Sequence, residues 1–363
     1  MINNKLDIYI NTLPKKVIFC KKCVVSNQRP RITFDNQGIC SACRYFELKK
    51  NVINWKEREN KLKKLVLKIK KNSKKNDWNV LVPGSGGKDS AYVAHILKEK
   101  YGLNPLCVTW SPNIYTDIGF DNFSSFTDSG FLTINCFSNG VLNRALTRLG
   151  FEEIGDNFVP FTMGQHGFVY HIAEKFKIND VFFGEGAELE YGGDAKAYNH
   201  QGSHSLSDNA ERYWKGNTIR KLVEYGKKNK KYFKNFNEKS PDLNFYEPPK
   251  KIRKNIKMYY MNYFVNWKPQ ENYYYASEHT NFKPNKIRSD GTYSKYASLD
   301  DKLDGLHFYM MLIKFGFGRA TSDAAHEVRD GLITREDGVN LVEEYDHEFP
   351  KKYFRESLDY MGI

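Results

Sequence analysis

Apolar and polar positions along this chain follow two periods, and the switch between them marks out its elements. From residue 51 to 76, Trp55, Leu62, Leu65, Val66 and Ile69 recur at near-helical spacing in a Lys-rich background, which predicts a connecting helix with one buried stripe. Short apolar runs follow. Asn79 to Pro83, Leu103 to Trp110, Phe131 to Phe137 and Asp180 to Phe183 read as strands. Ala91 to Leu97, Val141 to Leu149 and Gly167 to Phe176 read as helices between them. This alternation predicts a parallel sheet with helices on both faces. From about 226 to 282 the pattern is basic, aromatic and interrupted by Pro248, Pro249 and Pro269. Helical period returns with Leu303, Leu306, His307, Met310, Met311 and Ile313 on one face. Ala320 to Asp323 then reads as a helix start and Thr334 to Asp337 as a capping box. Three regions result, 1–50, 51–225 and 226–363, with no internal repeat.

At 363 residues the chain can bury a sizeable core. Its 40% hydrophobic and 27% charged residues are ordinary for a globular protein. The formal charge of +13 is open to two readings, a surface for nucleic acid or another polyanion, and a solvated Lys-rich surface. No apolar run reaches the roughly 18 residues of a membrane span. Met1 to Lys16 lacks a signal-peptide core, so a cytoplasmic protein is expected. In that reducing setting the six cysteines do not suggest a disulfide framework.

Four of the six form Cys20-x2-Cys23 and Cys40-x2-Cys43. Two such turns converge to offer four thiolates, the pattern of a closed, structural zinc site. Cys107 and Cys136 lie in apolar, strand-like runs and are expected in the core.

The segment Ser85-Gly86-Gly87-Lys88-Asp89-Ser90 leaves a strand and opens a helix. Glycines let backbone approach phosphate oxygens, and successive N–H groups at a helix start favour an anion. Ser85 and Ser90 add hydroxyl donors and Lys88 a mobile charge. The spacing is not that of a Walker A loop. A second acidic, glycine-rich segment, Gly184-Glu185-Gly186-Ala187-Glu188, follows the fourth strand. Carboxylates at a strand's carboxyl end suit magnesium beside phosphates; a solvated acidic turn is the plainer reading.

The loop resembles the Ser-Gly-Gly-x-Asp-Ser signature of the PP-loop ATP-pyrophosphatases. That resemblance implies an adenine-nucleotide α-hydrolase-like sheet, ATP split to AMP and pyrophosphate, and Asp89 near phosphate and magnesium. It points to Val82, Pro83, Thr109 and Trp110 for the adenine. The acidic segment looks like the matching loop of asparagine synthetases, with Glu185 first and Glu188 second for metal or ammonia-side chemistry.

Over nearly the whole chain the sequence resembles the N-acetyl sugar amidotransferases of surface-glycan biosynthesis, including the pseudaminic-acid amidination proteins of flagellin and lipopolysaccharide. The resemblance is carried by Arg31 to Asp35, Gly38 to Cys43, Gly84 to Ser90, Tyr293 to Tyr296, Asp301 to Leu306, Lys314 to Asp323 and His326 to Gly331. It implies that an N-acetyl oxygen takes AMP from ATP and that ammonia then displaces AMP to leave an acetamidine. Lys88, Lys295 and Arg319 are the candidate cations for the transferring phosphate, with surface ion pairing as the plainer role of the last two. Asp89 and Glu185 are the candidate magnesium ligands. Ammonia is expected from a separate glutaminase or free in solution, because no activated cysteine is evident. The alternative is a tRNA-thiolating PP-loop enzyme, for which the basic aromatic stretch from Lys227 to Tyr275 would stack bases. Against it, there is no third Cys-x2-Cys, and nucleic acid is not the expected partner. A nucleotide-binding subunit without activity is a third reading.

Overall fold

The computed structural model describes residues 14–74, 77–186, 190–192, 203–204, 218–227, 229–234, 238–252 and 255–363. At its centre lie Val80–Pro83 (β1), Pro105–Trp110 (β2), Thr133–Cys136 (β3), Asp180–Phe183 (β4), Ser203–His204 (β5) and Lys257–Tyr260 (β6). They are ordered β3-β2-β1-β4-β6-β5, and all neighbours are parallel except the short β5 against β6. Chain order therefore reverses between β1 and β4. In open parallel sheets the crevice at such a reversal, at the carboxyl ends of the strands, is where ligands bind.

Helices Ser41–Asn51 (α1), Trp55–Asn72 (α2), Lys88–His95 (α3), Asp117–Asp128 (α4), Gly140–Leu149 (α5) and Val159–Lys175 (α6) precede β4. Ile219–Gly226 (α7), Lys230–Phe233 (α8), Met261–Phe264 (α9) and Pro269–His279 (α10) follow it. The chain ends in Asp304–Phe315 (α11), Arg319–Asp330 (α12), Arg335–Tyr345 (α13) and Phe354–Met361 (α14).

Strand alternation sends residues to two cores. Leu81, Leu106, Val108, Val181 and Met258 face α5 and α6. Val80, Val82, Cys107, Phe182 and Tyr259 face α2, α3 and α10. The buried stripe of α2 is Leu62, Val66 and Ile69, as its periodicity predicts. α6 starts eight residues before the predicted Gly167, because Pro160 stands in its first turn, where the missing N–H costs nothing. The Thr334–Asp337 capping box is present.

The weakly patterned stretch after 226 supplies β6, α9 and α10. Its aromatic residues Tyr259, Tyr263, Phe264 and Trp267 are buried in the second core, so packing rather than base stacking uses them. Cys107 is buried as expected, whereas Cys136 at the rim is half-buried. The cysteine-rich segment forms a third cluster, packed on Ala324, Ala325, Val328, Val339 and Val342 of α12 and α13. Arg335 ties it down by donating to the carbonyls of Cys20 and Cys23, each at 3.2 Å. Among the described residues, no helix is long and apolar enough to cross a membrane.

Candidate functional site

The loop after β1 is shaped by close backbone approach. Gly84 N–H donates to Val108 O at 2.9 Å, and the Thr109 hydroxyl donates to Gly84 O. A Cβ on Gly84 would lie 2.1 Å from Ser90 Cβ. Gly86 has φ +81°, and a Cβ there would lie 2.8 Å from Phe123 Cα in α4. Only glycine meets both demands. Gly87 caps α3, and Ser90 Oγ donates back to its carbonyl at 3.0 Å. Lys88 and Asp89 fall in the first helical turn, with Lys88 Nζ paired to Asp89 Oδ2.

Across the strand-order reversal, β4 delivers Glu185 to the same place. Asn262 N–H donates to Gly184 O at 3.1 Å, and Gly186 N–H donates to Asn262 Oδ1 at 3.2 Å, so α9 fixes the turn. The carboxylate accepts from Trp267 Nε1 at 2.9 Å and from Tyr191 OH at 3.0 Å. Burial and the negative Asp89 push Glu185 up to about 7, with Lys88 opposing. Asp89 is held by Asn272 Nδ2 at 3.0 Å. Asp89 beside Glu185, whose proton affinity it raises, on an open cavity fits a divalent cation shared with phosphate oxygens.

These groups line a cavity of about 440 Å³. Of the sequence-predicted residues, Ser85, Gly87, Lys88, Asp89, Ser90, Thr109, Trp110, Glu185 and Arg319 line it. Gly86 shapes the loop from behind. Pro83 joins the wall, while Val82 lies in the core. Trp110 packs edge-on against Tyr246 at 4.9 Å, so its face is partly committed to packing. Lys295 is not among the lining residues. Its side chain is exposed, and its carbonyl accepts from Asn285 N–H at 2.7 Å. Glu188 falls outside the described residues.

The structure adds groups to which the sequence assigned no role. His166 from α6 stacks on Phe183 with centroids 5.7 Å apart, and burial lowers its pKa to about 4, so it is neutral. Asp300 reaches the loop and interacts with the Ser85 side chain; burial raises its pKa. Tyr296 lines the wall beside Lys88, its hydroxyl donating to Gln270 at 2.7 Å. Trp267 and Asn272, which hold the two carboxylates, came from the stretch with no readable period. The adjacent acids Asp300-Asp301 ahead of a helix were the one local hint.

The four cysteines of the N-terminal segment are brought together. Cys20 and Cys43 sulfurs are 3.8 Å apart, those of Cys23 and Cys40 3.7 Å, and all four lie within 4.8 Å of one another. Four sulfurs at about 2.3 Å from a tetrahedral ion are about 3.8 Å apart, so the set fits one metal ion. Backbone N–H groups of Lys22, Cys40 and Cys43 point at these sulfurs and would stabilise thiolates. All four are buried, which leaves no open position for substrate.

A buried pair ties this module to the cavity wall. Lys49 at the end of α1 bonds Glu190 at 3.0 Å and the Trp267 carbonyl at 2.9 Å. Glu190 also accepts from Asn262 at 2.9 Å, and its carbonyl accepts from Arg329 at 3.0 Å. The residues that grip Glu185 are thus gripped in turn by the cysteine module.

Residues 290–363 match the family described as LPS biosynthesis protein WbpG-like, C-terminal domain. An uncharacterized protein of Methanocaldococcus jannaschii is 32% identical over 90 residues, 24% of this chain. That match spans 31% of the length of the archaeal protein. Among solved structures, the NH3-dependent NAD synthetase of Campylobacter jejuni is similar at 16% identity, over 53% of this chain and 91% of that one, with a TM-score of 0.28. The U34-tRNA thiolase NcsA of Methanococcus maripaludis, with its 4Fe-4S cluster, is similar at 17% identity, over 90% and 88%, with a TM-score of 0.32. Both structural likenesses are too slight to bear on activity. The C-terminal match covers the segment that closes the cavity with Tyr296, Asp300 and Arg319.

Proposed function

We propose that this protein is an ATP-dependent, AMP-forming ligase that converts an N-acetyl group on a surface-glycan sugar, a nonulosonic acid or a nucleotide-linked sugar, into an acetamidine. The observation that carries the reading is the meeting of the glycine-rich loop after β1 with Glu185 after β4 on one cavity at the strand-order reversal. The WbpG-like match of the closing segment supports a sugar of lipopolysaccharide type.

In this reading the loop N–H groups, Ser85, Ser90 and Lys88 bind the phosphates. Asp89 and Glu185 would hold Mg²⁺, which supplies charge neutralisation on the triphosphate. The adenine lies along Pro83, Thr109 and Trp110. The acetamide oxygen attacks the α-phosphorus, the bond to the β-phosphate oxygen breaks, and pyrophosphate leaves. Lys88 and Arg319 offset the charge that grows on the transferring phosphate. Ammonia adds to the imidoyl carbon, a proton is lost, and AMP departs with the former amide oxygen. The cysteine set would hold Zn²⁺ as a structural ion. Lys295, exposed, takes no part in this arrangement.

Nitrogen must come from outside the chain. Four cysteines face one another, and burial pushes Cys107 up to about 12 and Cys136 to about 11, so neither is an activated nucleophile. A separate glutaminase or free ammonium serves, in the cytoplasm. The same thiols give no support to the thiolating alternative.

The test is incubation with ATP, Mg²⁺, ammonium and a panel of N-acetyl sugars carrying ¹⁸O in the acetyl group. Mass spectrometry should find an acetamidino product and ¹⁸O in AMP. Asp89→Asn should abolish both. AMP formed only with tRNA and a sulfur donor would overturn the proposal.

A further inference from the structure

A second, smaller cavity lies behind the first. Lys88, Tyr296 and Arg319 belong to the walls of both, so these three side chains are the partition between them. The second cavity measures about 40 Å³. A water-sized molecule needs about 10–15 Å³ on this scale, so a few small molecules fit and a sugar does not.

Its inner wall is one face of α12. Asp323, His326, Glu327 and Asp330 recur at three- and four-residue steps and all line it. Asp323 is already paired, to Arg319 at 3.0 Å and to the Thr292 hydroxyl at 2.7 Å. Glu327 and Asp330 are held upward in pKa by burial, Asp330 despite Lys49 and Arg329. His326 is only 8% exposed, and its Nε2 is fully buried with no hydrogen-bond partner among the described residues. Burial and the cations Arg329, Lys49, Lys88 and Arg29 keep this imidazole neutral. A buried imidazole nitrogen without a partner costs about 1–3 kcal/mol and marks a place where something else binds.

The surroundings select that ligand. With Asp323 paired to Arg319, Glu327 and Asp330 against Lys88 leave the wall one negative charge in excess, which disfavours an anion. Lys88 and Arg319 at the partition disfavour a divalent ion. What remains is a small monovalent cation that donates hydrogen bonds in several directions, to carboxylate oxygens and to an imidazole lone pair. Ammonium has this size and this chemistry.

We propose that the cavity behind Lys88, Tyr296 and Arg319 is an ammonium pocket, in which His326, Glu327 and Asp330 hold the nitrogen source one side-chain layer from the ATP cavity. The inference rests on the amidating reading above. Pro269, Gln270 and the exposed Leu332 complete the pocket's wall.

Steady-state rates with varied ammonium chloride decide it, using wild type, Asp330→Asn and His326→Leu. Loss of one hydrogen bond to a charged ligand should raise the KM for ammonium about tenfold or more. The KM values for ATP and sugar, and kcat at saturating ammonium, should hold. Asp330→Asn is close to isosteric and guards against a His326→Leu variant that fails to fold. An unchanged ammonium KM in both folded variants, or a rise in the sugar KM instead, overturns the pocket while leaving the reaction intact. A wild type that makes no amidine with any sugar sinks the reaction reading instead. Crystals soaked in rubidium, an ion of ammonium's size, then decide the pocket separately. An anomalous peak among these side chains supports a monovalent-cation site, and no peak ends the proposal.

Discussion

Replacing Glu185 by Gln should make the protein more stable at alkaline pH while destroying its activity. The Glu185 carboxyl is moved from its ordinary 4.5 to about 7 by burial and by Asp89. Between those values the native state holds a proton that the unfolded chain has released, so stability falls as pH rises through this window. At about 1.36 kcal/mol per factor of ten, the full loss is about 3 kcal/mol above pH 7. The amide of the E185Q variant carries no charge to desolvate, and its carbonyl can still accept from Trp267 or Tyr191. Urea unfolding at about pH 8 should therefore find E185Q about 2–3 kcal/mol more stable than wild type, with the difference gone at about pH 4.5. Mg²⁺ and a non-hydrolysable ATP analogue should close the gap at alkaline pH, because only the wild type gains from binding the cation. AMP formation should be lost in the variant. A difference that does not depend on pH, or an E185Q less stable than wild type at alkaline pH, would refute the view that this carboxylate is destabilised to serve the site.

The Lys49–Glu190 pair is nearly fully buried, with side chains 5% and 4% exposed. Lys49→Met should cost about 3–5 kcal/mol, and Lys49→Met with Glu190→Leu should recover most of it, measured as a double-mutant cycle. Gly86→Ala meets both a left-handed backbone and Phe123 at 2.8 Å; it should lower ATP-analogue affinity by calorimetry tenfold or more, at a stability cost of about 1–3 kcal/mol. Metal analysis should find one Zn²⁺ per chain, and strong chelation should expose four titratable thiols and loosen α1, seen as faster amide exchange. Full thiol reactivity without chelator would count against a bound ion.

Parts of this molecule were readable as local pattern. The strand, loop and helix from Asn79 to Leu97 are contiguous, and their chemistry depends on φ angles and N–H directions set within a few residues. The two Cys-x2-Cys turns are equally local. The capping box at Thr334 needs only residues three apart. Where period and punctuation were strong, elements appeared where expected, with shifts of one or two residues at the strand ends and of eight at the start of α6.

The remainder depended on packing between distant segments. The stretch from 226 to 282 looked basic and aromatic, yet Lys257–Tyr260 joins the sheet beside β4 and Trp267 clasps Glu185 from 82 residues away. No periodicity announces such a partner, because a strand of four residues carries too little pattern and an indole nitrogen gives no sign of which carboxylate it will meet. Lys295 and Arg319 were equal candidates as residues. The turn that brings the half-buried Tyr296 to the cavity wall leaves Lys295 outward, while the start of α12 points Arg319 in. Sequence alone determined that this chain carries a glycine-rich turn between strand and helix and a four-cysteine set, since both are properties of neighbouring residues. Only the tertiary structure decided which carboxylates, aromatics and cations surround that loop, since long-range burial, not local propensity, selects them.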